Sequence, residues 1–112
     1  MSKPIQVKAD TFKTEVLNSP LPTLVDFYAD WCGPCQAFSP VVESIATEFE
    51  GRLKVAKVNV DENEALSQQY GVQGIPTLVL FQDGREIERI VGLLPKAQLI
   101  RQLQPHLTAA VA

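Results

Sequence analysis

The 112-residue chain predicts a single α/β domain over 1–112, a mixed β-sheet with helices on both faces. Three patterns carry that expectation. Residues 23–29 are a nearly continuous apolar run, as in a strand covered on both sides. Phe38, Val41, Val42, Ile45 and Phe49 recur at three- and four-residue steps, which is the period of an amphipathic helix. Asp83-Gly84 separates two strand-like runs, the signal of a β-hairpin.

Taken in order, residues 4–7 read as a short edge strand. Residues 10–17 read as a first helix capped by Asp10, with Phe12, Val16 and Leu17 on one face. Ser19-Pro20-Leu21-Pro22 stops it, and the buried strand 23–29 follows. The long helix over 34–49 accepts Pro34 in its first turn, where no amide hydrogen is missed, and closes at Gly51. Pro40 lies inside it and predicts a kink. Residues 53–60 form a second buried strand, and the strand-helix-strand unit over 23–60 should cross over right-handed. Asp61 and Glu64 resemble a capping box that starts a short helix through Leu66 and Tyr70, ending at Gly71. Residues 76–81 and 86–91 form the hairpin. After Pro95, Leu99, Leu103 and Leu107 stripe a last helix that Pro105 should bend or end. The order is βαβαβαββα, with no repeat or linker to divide it.

Composition removes several function classes. Ten Lys and Arg against thirteen Asp and Glu leave a net charge of −3, and the pI is near 5.0. Nucleic-acid binding needs a basic surface to displace phosphate counterions, so no nucleic-acid partner is expected. No apolar run approaches the ~20 residues that cross a bilayer, so no membrane partner is expected either. The opening Met1-Ser2-Lys3-Pro4-Ile5 has no apolar stretch of the signal-peptide kind, which predicts a cytoplasmic chain or the mature form of an imported one. The two cysteines and the distant His106 are too few for a zinc site, so no metal is expected.

Those two cysteines carry the chemistry. Trp31-Cys32-Gly33-Pro34-Cys35 lies between a buried strand and the start of a helix, at the strand end where reactive groups collect in parallel α/β units. At a helix N-terminus, free amide hydrogens and the dipole favour a thiolate over a thiol at Cys32. Cys35 is close to one turn further on, beside Cys32, and its sulfur should be the deeper one. One thiol can attack a foreign disulfide, and the second can resolve the mixed disulfide intramolecularly. Trp31, at a strand end beside a reactive pair, should be half exposed. Asp26 stands in the middle of an apolar strand, where a carboxylate is costly unless paired or protonated; burial should raise its pKa. Lys57, in the neighbouring strand, is its natural partner.

Residues 25–40, with Gly74-Ile75-Pro76-Thr77 and Val91-Gly92 downstream in the same order, resemble the thioredoxin family over about residues 4–107. The resemblance implies a thioredoxin fold and a protein-disulfide reductase in which Cys32 attacks and Cys35 resolves. It makes Asp26 the proton acceptor for Cys35, with Lys57 as its modulator. Pro76 would follow a cis bond beside the sulfurs. The Ile75 backbone would pair with an extended client, and Trp31, Gly33, Pro34, Ile75, Pro76, Val91 and Gly92 would form the client surface. Gly92 has no side chain to obstruct a client backbone. No cofactor is implied, because the thiols carry both electrons. The implied partners of this expected monomer are client disulfides and a thioredoxin reductase, NADPH- or ferredoxin-linked, in the cytoplasm or a stroma-like compartment.

Two positions depart from the family's pattern. Gln36 stands where many members carry Lys or Arg, and Tyr28 where bacterial-type members usually have Trp; the stretch is similar to some chloroplast and cyanobacterial types. Two rival readings accompany the reductase. One is a thiol-independent binding module or assembly subunit using the apolar surface around Trp31 and Pro76. The other is a thiol oxidase or isomerase of an oxidising compartment.

Overall fold

The computed structural model describes residues 3–111, with side chains through Leu107. Met1 and Ser2, where the reading for a leader begins, and Ala112 lie outside the described residues. Five strands are present among them: β1 (Ile5–Gln6), β2 (Thr23–Tyr28), β3 (Lys54–Asn59), β4 (Thr77–Gln82) and β5 (Arg85–Val91). They form one sheet in the order β1-β3-β2-β4-β5. β3 runs parallel to both β1 and β2, whereas β4 is antiparallel to β2 and β5. Three α-helices join them: α1 (Gly33–Glu48), α2 (Glu64–Gln69) and α3 (Lys96–Val111). A single wide turn, Lys13–Leu17, precedes β2. The expected order is what the chain adopts.

The central position of β2 explains its apolar run. Leu24 belongs to the core shared with α1 and α3, through Phe38, Val42, Ile45, Leu99, Leu103 and Leu107. Val25 and Phe27 belong to the opposite core, with Phe12, Val16 and Leu66. The second core is closed by Phe12, Tyr70 and Phe81, whose ring centroids lie 5.3–5.6 Å apart. Such tilted and edge-on pairs add to simple area burial. Asp83 and Gly84 both take positive φ (54° and 78°), the backbone a two-residue hairpin turn demands.

Four local expectations are corrected. Asp10 caps no helix: the wide turn starts at Lys13 without a side-chain cap and closes through Asn18 N–H to the Lys13 carbonyl, 2.9 Å. The adjoining turn is tied instead by Thr11, whose Oγ1 accepts the Lys8 N–H. Asp61 and Glu64 form no capping box, because the N-cap of α2 is Asn63, directly before Glu64, and Asp61 is engaged elsewhere. Pro105 does not end α3, which runs on to Val111; the buried Leu99, Leu103 and Leu107 hold that helix to the sheet across the proline. Pro76 stays outside β4, which opens at Thr77.

Candidate active site

β2 delivers the chain to Tyr28, and a tight turn then places Cys32 at the N-cap of α1. Cys32 keeps extended backbone (φ −83°, ψ 108°), and its N–H donates to the Ala29 carbonyl at 3.2 Å. A helix start leaves amide hydrogens without partners. Here the Cys35 N–H donates to Cys32 Sγ at 3.1 Å, so sulfur occupies the place a Ser or Asp oxygen usually takes. Pro34 sits in the first turn, which holds no acidic residue. Cys32 and Cys35 are joined in a disulfide, with Cα atoms 5.2 Å apart.

The loop before β4 roofs this pair. The Ile75–Pro76 bond is cis, and the Ile75 carbonyl oxygen lies 3.9 Å from Cys32 Sγ. Thr77 Oγ1 donates to the Gly74 carbonyl and ties the loop to its strand. Gly92, at φ 88°, donates its N–H to the Pro76 carbonyl at 2.8 Å, which sets the end of β5 beside the roof. Under this roof both cysteines are buried: Cys32 is 3% exposed and Cys35 7%. Ile75, Tyr28 and Val60 pack against them.

Around the roof lies an apolar rim. Trp31 is 71% exposed, more than the half anticipated, and Val91 and Leu93 are 66% and 50% exposed. The Val91 side chain comes within 3.8 Å of where a Cβ on Gly74 would stand, so Val91 borders the roof directly. Leu93 was missed in the sequence; its signal is an apolar residue directly after a glycine at positive φ. Trp31 Nε1 donates to Asp61 Oδ2 at 2.8 Å, which gives Asp61 a place at the rim that its reading as part of a capping box did not anticipate. Gln36 spends its amide on the loop before the motif, donating from Nε2 to the Asp30 carbonyl at 2.7 Å.

Asp26 lies below, buried on the β2 face that also carries Leu24. Burial pushes its carboxyl from 3.8 up to about 6, against the opposing pull of Lys57. Its Oδ1 is buried with no hydrogen-bond partner. Lys57 is its register partner on β3, as anticipated, but the ammonium stands over the Tyr28 ring, 4.4 Å from the centroid. The expected pairing is therefore a long-range attraction and not a closed ion pair. The reason is Tyr28, two residues along the same face of β2, whose ring takes the cation by cation–π attraction. Among the described residues, no group of three or more His, Cys, Asp or Glu side chains is arranged to hold a metal ion.

The Thioredoxin family model matches residues 3–105 of this chain. Thioredoxin 1 of Nostoc sp. is 50% identical over 107 residues, covering 96% of this chain and all of its own length. The thioredoxin of Haemophilus influenzae is 43% identical over the same shares of both chains. A chloroplastic M-type thioredoxin of Chlamydomonas reinhardtii is 45% identical over 90% of this chain and 72% of its own.

Proposed function

The chain belongs to the thioredoxin family and is a thiol–disulfide oxidoreductase, and we propose how its residues divide the work. In the reduced protein, the Cys32 thiolate attacks one sulfur of a client disulfide. A bond forms between Cys32 Sγ and that sulfur, and the client's other sulfur leaves as a thiolate that takes up a proton. Asp26 then accepts the Cys35 proton, with Lys57 tuning its basicity. The Cys35 thiolate attacks Cys32 Sγ, which closes the intramolecular disulfide and releases the second client thiolate. Two electrons pass to the client, and the oxidised pair is the state in the structure.

The observation that carries this reading is Cys32 Sγ seated as the N-cap sulfur, 3.1 Å from the Cys35 amide nitrogen. Donors aimed at that sulfur favour its ionised form and so its attack. The client is an extended segment laid across Gly33, Pro34 and the Ile75 backbone by strand addition, with its side chains on Trp31, Val91 and Leu93. Pro76 and Gly92 keep that approach open. The oxidised pair must be recharged, and a thioredoxin reductase fed by NADPH or ferredoxin is the proposed donor, in the cytoplasm or a stroma-like compartment.

Two variants test the division. Cys32→Ser abolishes reduction of insulin disulfides, because the attacking thiolate is gone. Cys35→Ser accumulates mixed disulfides with clients, visible as adduct masses that dithiothreitol removes. Absence of adducts, with reduction still proceeding, would refute the assigned roles. A binding role without turnover finds no support here; it predicts full function in the Cys32→Ser, Cys35→Ser double variant.

A further inference from the structure

We propose that Asn59 is a positioning residue for Trp31: its buried side chain fixes the backbone that presents Asp61 to the indole. The importance of this for clients rests on Trp31 being a client contact, as proposed above.

Trp31 projects into solvent, and its indole N–H is its polar handle. That handle is held by Asp61 Oδ2 at 2.8 Å. Asp61 itself is exposed, in the short link between β3 and α2. What fixes the link lies beneath it. Asn59, 4% exposed at the end of β3, accepts the Asp61 N–H on its side-chain oxygen at 2.9 Å. This is an Asx-type turn, in which a side chain stands in for backbone and sets the direction of the next two residues. The Asn59 carbonyl in turn accepts from Asn63 Nδ2 at 3.0 Å. Asn63 Oδ1 accepts the Ala9 N–H at 2.9 Å, which ties the link to the segment following β1. Val60 N–H donates to the Tyr28 carbonyl at 2.8 Å and keeps the link against the strand that leads to Trp31.

An uncharged amide suits the position. A buried carboxylate there would face Asp61 and Glu62 and would resist desolvation, whereas an asparagine accepts the Asp61 amide hydrogen without adding charge. Losing one such buried acceptor frees the Asp61 backbone and, through it, the indole.

The chain contains one tryptophan, so every indole signal is Trp31. In Asn59→Ala, solvent exchange of the indole N–H, followed by NMR, should quicken roughly 5-fold, the effect of one lost hydrogen bond. Asn59→Ser should recover part of the protection, because a hydroxyl supports the same turn more weakly. In an Asp61→Ala background, Asn59→Ala should leave indole exchange no faster than Asp61→Ala alone. An equal effect of Asn59→Ala in both backgrounds, or none in either, overturns the proposal. If Asn59→Ala does not fold, Asn59→Ser runs through the same cycle, with the same outcomes deciding. KM for a peptide disulfide should rise by a similar factor, more than kcat falls. A shifted indole with unmoved KM would leave the positioning of Trp31 standing and overturn its role as a client contact.

Discussion

Two strand-to-helix corners stand side by side at the ends of parallel strands, β2 into α1 and β3 into α2, and they treat their polar groups in opposite ways. At the second corner nearly everything is satisfied. Asn63 donates to the Asn59 carbonyl, the side-chain oxygens of Asn59 and Asn63 accept from Asp61 and Ala9, and Ser67 donates back to the Asn63 carbonyl. Glu64 fills the first turn of α2 with negative charge. At the first corner the polar groups are left open. No carboxylate enters the first turn of α1, sulfur takes the cap, and Asp26 beneath has a buried oxygen without a partner. A buried polar group without a partner destabilises a fold, and such a group in a native structure asks for an explanation. The second corner holds the molecule together; the first keeps charge and donors available for sulfur chemistry. Trp31 and Asp61 connect the two.

Variants that close the first corner, or open the second, sharpen this contrast. The largest expected effect is on Asp26. Its carboxyl is raised from 3.8 to about 6, so ionisation disfavours the folded state. Below pH ~4 the carboxyl is protonated when folded and the penalty is absent. As pH rises through about 6 the full penalty of about 3 kcal/mol appears. Asp26→Asn should therefore gain on the natural chain by up to that amount between pH 4 and pH 8, measured by urea unfolding of the oxidised forms; a flat difference removes Asp26 from the account. The same variant should slow resolution of mixed disulfides at neutral pH. In the natural chain that rate should fall as pH drops through about 6 and the base is protonated.

A smaller effect is expected from placing charge where α1 has none. Gly33 is exposed and a Cβ on it meets nothing within 4 Å, so Gly33→Asp is the variant to make. Its carboxylate would offset the helix dipole and cut the thiolate fraction of Cys32 roughly 2- to 5-fold near neutral pH. Iodoacetamide alkylation of the reduced protein across pH reads this directly, and an unchanged profile means the helix start does not set the reactivity. The smallest effect belongs to the satisfied corner. Glu64→Gln should lower stability by about 0.5 kcal/mol, more at low salt than high, with alkylation of Cys32 unaltered.

Much of this was legible in the sequence because it is written locally. The apolar run of β2, the three-and-four spacing of α1 and the Asp83-Gly84 turn each specify an element from neighbouring residues alone. The Cys32–Cys35 pair at a helix start is local too, and the roof and its cis bond followed from a resemblance carried by Gly74-Ile75-Pro76-Thr77. The misreadings share a cause. Asp61 looks like a helix cap by spacing, but an indole thirty residues away takes its carboxylate. Lys57 does act on Asp26 by charge, but its ammonium sits over the Tyr28 ring and not on the carboxylate. Pro105 was open to bending or ending the helix, and leucines packed into the sheet core carry α3 past it.

The sequence by itself determined the order of elements, the position of the two thiols at a helix start and the presence of a carboxylate inside an apolar strand. These depend on periodicity and on backbone geometry over a few residues. Only the tertiary structure decided that a cis-proline loop covers both cysteines, where the Lys57 ammonium points, and what holds Trp31 at the rim. Those outcomes turn on which of several competing partners a side chain meets across the sheet, and the distance between such partners is set by packing and not by their spacing along the chain.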